Sequence, residues 1–235
     1  MKTLNLIIIL VSLFFFSEKS FSQFDLLNEH KSLYAKNKVK TVNKTLLDNS
    51  EKKLYSVTFV NQLGQITQEN IYNTKSGDLI SKSIITYPDK LKALESYLFL
   101  PDSSEFQTEY TYNSSGQLIQ MIYENNISTF EYVPKDNTIH QTFTQGSDNS
   151  YHFFYIYNSD NLLSTYRFDE GETKYFYNSD NLLTHSKTYG HNMTSDETFF
   201  EYFDNELISK ETNIFYEEDT VSLKLIYEYS YEFYK

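Results

Sequence analysis

The sequence has no cysteine and no tryptophan, and only three prolines and six glycines in 235 residues. Lack of cysteine excludes disulfides, thiolate metal sites and a cysteine nucleophile, so burial and hydrogen bonds must hold the fold. So little proline and glycine excludes long flexible linkers. Positive charge is short as well: 20 Lys and Arg against 32 Asp and Glu give a net charge of −12. A surface that acidic repels phosphate backbones, so no nucleic-acid partner is expected. His-Glu-x-x-His, Gly-x-Ser-x-Gly and the glycine-rich phosphate loops are all missing, so no enzyme, metal or cofactor is expected.

One long apolar run is present, at the amino terminus. Met1 and Lys2 precede a nearly unbroken run from Leu4 to Phe16, and Ser20-Phe21-Ser22 offers small residues where a signal peptidase reads them. The run is well short of the ~20 residues of a spanning helix. We expect a signal peptide at 1–22, cleaved before Gln23, and an exported chain: periplasmic, cell-surface or secreted, of a bacterium. No membrane insertion is expected after cleavage.

Aromatics are abundant, with 22 Tyr and 19 Phe, and both favour strands. Four segments align without gaps: Tyr110-Thr-Tyr-Asn-Ser-Ser-Gly-Gln-Leu118, Tyr155-Ile-Tyr-Asn-Ser-Asp-Asn-Leu-Leu163, Tyr175-Phe-Tyr-Asn-Ser-Asp-Asn-Leu-Leu183 and Phe200-Glu-Tyr-Phe-Asp-Asn-Glu-Leu-Ile208. The tyrosines before each turn, Tyr72, Tyr87, Tyr112, Tyr132, Tyr157, Tyr177, Tyr202 and Tyr227, are spaced by multiples of five residues. Aromatic-x-aromatic puts both rings on one face of a strand. Gly116, Asn161 and Asn181 share one turn position, and these residue types tolerate positive φ most cheaply, so a left-handed hairpin corner closed by a bulge is expected there.

The expected fold is all-β: an antiparallel meander of repeated hairpins, about 16 strands by the repeat count, behind a short N-terminal helix or cap within 24–36. The expected division is the signal peptide, an N-terminal cap and first strand at 23–50, and a β-hairpin repeat domain at 51–235. Leu225 to Phe233 alternates cleanly and reads as a closing edge strand.

The segment at 110–118 and its copies at 155, 175 and 200 resemble the tyrosine–aspartate (YD) repeats of the RHS family of exported bacterial proteins, with Asn here where that family has Asp. The resemblance implies a curled hairpin sheet or solenoid, in a short member without a toxin domain.

If Tyr155, Tyr157, Tyr175, Tyr177, Phe200 and Tyr202 face inward, then Phe154, Ile156, Phe176 and Phe199 face the other way. Phe154, Phe176 and Phe199 are the candidate ligand-binding residues of an outward aromatic stripe; the competing reading covers them with another layer of the same sheet. The five histidines, with His185 and His191 on either side of Gly190, are taken as scattered. Asp160 and Asp180 are taken as turn-stabilising. The leading function is a non-enzymatic binding or scaffold module for a protein or glycan at the cell envelope. The alternatives are an outer-membrane β-barrel and a carbohydrate-active enzyme using loop carboxylates.

Overall fold

The computed structural model describes residues 30–146, 149–190, 193–217 and 220–235. The signal peptide expected at 1–22 lies outside them, as do residues 24–29 of the expected cap, His191, Glu218 and Asp219. A short helix, α1 (Lys31–Lys36), leads into β1 (Val39–Asp48), β2 (Glu51–Val60), β3 (Ile66–Tyr72) and β4 (Leu79–Asp89). β5 (Lys92–Phe99), β6 (Ser104–Tyr112), β7 (Leu118–Tyr123) and β8 (Asn126–Val133) follow, then a 3-10 turn at Pro134–Asp136. β9 (Thr138–Gln145), β10 (Asn149–Tyr157), β11 (Leu163–Phe168) and β12 (Gly171–Tyr177) continue the meander. β13 (Leu183–Gly190), β14 (Met193–Tyr202), β15 (Ile208–Glu217) and β16 (Thr220–Phe233) complete it.

Every strand pairs antiparallel with its sequence neighbours, and β16 also pairs with β1, from Val39↔Phe233 to Leu47↔Ile226. The sheet is therefore a closed 16-stranded barrel. This corrects both the curled sheet or solenoid and the RHS/YD-repeat resemblance that implied it. The barrel kept as an alternative is the architecture found. β16 is not an edge, because it has a partner on either side. The physical reason is that the five-residue turn is local and serves an open or a closed meander equally well. Closure depends on the register between strands almost 190 residues apart, and no local motif encodes that.

The turns explain the repeat. In each of four turns one asparagine side chain accepts two backbone N–H bonds: Asn61 from Leu63 and Gln65, Asn113 from Ser115 and Gln117, Asn158 from Asp160 and Leu162, Asn178 from Asp180 and Leu182. Two residues before the returning strand or its first leucine the backbone is left-handed, at Gly64, Gly116, Asn161, Asn181 and Glu206, with φ from 59° to 80°. The register then shifts beside Val60, Tyr112, Tyr157, Tyr177 and Tyr202, so each corner closes with a bulge. Asp160 and Asp180 are exposed, and Asn158 and Asn178 do the capping.

The marker tyrosines reach across to the neighbouring strand. Tyr87, Tyr132, Tyr177 and Tyr202 donate their hydroxyls to the backbone carbonyls of Ile66, Leu118, Leu163 and Leu183, at 2.7–3.1 Å. Tyr231, not Tyr227, makes the equivalent bond on β16, to Ile208. Tyr72 departs from the series because it precedes the turn at the opposite end of the barrel. Each such bond contributes about 1 kcal/mol.

Two apolar clusters fill the inside. One runs from Ile85 and Ala93 through Tyr110, Phe130 and Ile139 to Tyr157 and Leu163. The other joins Val42, Val60, Leu207, Tyr227 and Tyr229 to Tyr34 of α1. α1 lies over the barrel end where the chain enters: Lys36 pairs with Glu206 and Asn37 donates to the Asn205 carbonyl. A Cβ on Gly64 would clash with the Lys31 carbonyl and come within 2.9 Å of the Ala35 nitrogen.

Candidate functional site

Period two sorts the barrel wall. Tyr155 and Tyr157 are buried in the inner cluster, whereas Phe154, Phe176 and Phe199 stand on the outer surface, with Phe176 and Phe199 each 39% exposed. No second layer of sheet lies over them among the described residues. Histidines do the covering. His185 stands between Phe176 and Phe199, with ring centroids 4.2 and 5.4 Å away and planes tilted by only 3° and 14°. The strand register produces this sandwich, since His185 is the direct partner of Phe176 on β12 and of Phe199 on β14. Partial burial lowers the His185 pKa, as does nearby Lys187, against an opposing effect of Glu197.

Phe154 belongs to a second stack. His140, its partner across β9 and β10, lies 4.7 Å away and parallel within 3°. His140 Nε2 is also 3.0 Å from His152 Nδ1. The structure thus brings Phe176 and Phe199 together through His185 and sets Phe154 apart, across β11, where Arg167 is its register partner. In both stacks ring faces are spent on neighbouring rings, so edges and outermost faces remain for a partner.

The outer wall also carries ion pairs, set among exposed apolar side chains such as Leu54, Phe59, Ile84 and Leu94. Lys187 pairs with Glu197 at 2.9 Å, Lys210 with Glu201 at 2.6 Å, Lys174 with Glu172 at 3.0 Å and Lys92 with Glu109 at 2.8 Å.

The inner wall carries a polar belt. Lys44 is ion-paired with Glu211 at 3.0 Å, both well buried, and its ammonium sits 4.2 Å from the centre of the Tyr227 ring. Burial alone pushes the Glu211 carboxyl up; Lys44 and hydrogen bonds from Tyr229, Asn213 and Lys44 outweigh it, leaving the pKa below the usual carboxylate value. Glu69 is the reverse case. Dense surroundings and the charge of Glu95 raise its pKa, against smaller opposing effects of Lys44, Thr58 and Ser56. Ser83 and Tyr110 donate to Glu95, and Ser128, Gln141 and Tyr155 form a further chain of bonds. Sequence reasoning missed this belt and both histidine stacks. The available signal was parity: each residue occupies a position whose face its aromatic neighbours had already fixed.

No family model matches the chain, and no curated protein matches it. A solved porin-like protein from Bacteroides uniformis ATCC 8492 is similar, with a TM-score of 0.44 and 9% identity over 83% of this chain and 98% of that one. The class defined here, a closed antiparallel β-barrel, rests on the strand pairing.

Proposed function

We propose that the chain is an exported, non-catalytic β-barrel of the bacterial cell envelope, whose outer wall faces water and docks a protein. The observation that carries this reading is the row of ion pairs on the outside. A lysine or arginine on the lipid face costs about 2–4 kcal/mol at the bilayer midplane. Lys92, Lys174, Lys187 and Lys210 all stand on the outer wall. The two shortest strands support the same reading, while eight of the sixteen have nine residues or more and are long enough to span a bilayer. β7 and β11 have six residues each, roughly 20 Å at the usual rise. Once tilted, they fall short of the ~25 Å apolar band of a membrane barrel.

A protein is favoured over a glycan because His140 and His185 already cover one face of each phenylalanine ring, leaving less open ring face for stacking on sugars. The inner carboxylates Glu95 and Glu211 are bonded to the chain's own serine, tyrosine, asparagine and lysine groups, which supports a structural part for them rather than a catalytic one.

The second reading, an outer-membrane barrel, is favoured by the closed sheet and by the polar belt inside it. Detergent-phase partitioning of the expressed, processed protein separates the two. Recovery in the aqueous phase without detergent is expected; recovery in the detergent phase, with strands protected from protease by lipid, would sink the water-facing wall.

A further inference from the structure

His140 and His152 form a pair that the proposed docking role does not use. They lie on adjacent strands, β9 and β10, on the outer wall. His140 is half-buried against Phe154, which holds its ring parallel within 3°. His152 is exposed, and Thr142 Oγ1 lies 3.5 Å from its Nδ1. Nε2 of His140 and Nδ1 of His152 face one another at 3.0 Å, within hydrogen-bond distance.

Two imidazole nitrogens bound at about 2.05 Å to one ion, at a right angle, stand about 2.9 Å apart. The observed separation fits that of neighbouring ligands in a tetragonal site, and tetrahedral coordination would spread them further. Imidazole suits copper, nickel and zinc, right-angled geometry selects Cu2+ or Ni2+, and Cu2+ heads the affinity order. The backbone on both sides is fixed by an unbroken ladder from Asn149↔Gln145 to Ile156↔Thr138, so the two strands keep both rings within reach of one ion.

We propose that His140 and His152 are a two-histidine chelate for a tetragonal divalent cation, Cu2+ above all. The two rings meet nearly end to end, with centroids 5.2 Å apart, so each turns until both lone pairs converge on the metal, and the proton of the N–H donor moves to the other nitrogen of its own ring, leaving two neutral imidazole ligands. Among the described residues no group of three or more His, Asp or Glu is arranged around one metal position, so water completes the coordination.

Titration of the processed protein with Cu2+ tests this, read by calorimetry and by the nitrogen couplings of the copper electron-spin resonance. One equivalent bound with two-nitrogen coupling is expected. His140→Gln and His152→Gln should each weaken binding at least tenfold, and His185→Gln should leave it unchanged. A His152→Gln variant that titrates like the parent would overturn the site. Should a variant fold poorly, paramagnetic broadening in the unaltered protein serves instead: loss of the Phe154 and Thr142 signals first supports the chelate, and loss confined to other regions refutes it.

Discussion

At the scale of the residue, the inner belt holds two glutamates in opposite electrostatic situations. Glu211 has a lowered pKa, so its contribution to stability is present above the ordinary glutamate value and is lost as pH falls through the folded value. Glu69 has a raised pKa, so its contribution is fully present in acid and is lost as pH rises through the folded value. Two variants should therefore move in opposite directions in urea denaturation at pH 7. Glu211→Gln strands the Lys44 charge and should cost about 3 kcal/mol, a deficit that shrinks as the pH is lowered below the ordinary glutamate value. Glu69→Gln should raise the midpoint at pH 7 and have no effect in acid, where Glu69 is protonated whether folded or not. Equal shifts of one sign in both variants would contradict the belt. These residues are hard to read from sequence. Glu69, Glu95 and Glu211 look like the other acids, and only the inward parity of their neighbours marks them.

At the scale of the element, hairpins were legible because their signals are local. Alternating aromatics fix the faces, and Gly116, Asn161 and Asn181 fix the corners, all three at positive φ. The asparagine that opens four of the turns caps each of them without adding charge to an acidic chain, its side-chain oxygen accepting two backbone N–H bonds. Docking of α1 was less legible, since its partners are two turns far away in sequence. Gly64 tests that docking. Gly64→Ala meets both a left-handed backbone and the α1 backbone, whereas Gly116→Ala meets the same conformation with nothing within 4 Å of the added carbon. Gly116→Ala should cost about 1 kcal/mol. Gly64→Ala should cost clearly more and loosen the helical backbone of α1, so that trypsin cuts faster after the already exposed Lys31 and Lys36. Equal losses in the two would mean that α1 is not seated on the β2–β3 turn.

At the scale of the molecule, the strand count was within reach of the sequence and the closure was not. Both the YD-like motif and the repeat spacing describe one hairpin and its neighbour, and a long meander can stay open, coil or close. What decides is whether β16 finds β1. Tyr229 and Tyr231 meet Lys44 and Val42 there, in register and from the inside, and the aromatic clustering around Lys44 ties the seam together. The outward position of Phe154, Phe176 and Phe199 likewise followed from parity, yet their division into two stacks, and the histidines in each, came from register between strands.

Closure is tested most directly at that seam. The chain has no cysteine, so a pair introduced on the outer wall is the only pair that can oxidise. Asn43 and Ser230 are register partners on β1 and β16, at a separation suited to a disulfide. The variant carrying Asn43→Cys and Ser230→Cys should form an intramolecular bond nearly completely under mild oxidation, seen as a faster-migrating, reducible band. A chain that stays unlinked, or links only to other chains while remaining folded, would show the two ends apart and contradict the barrel.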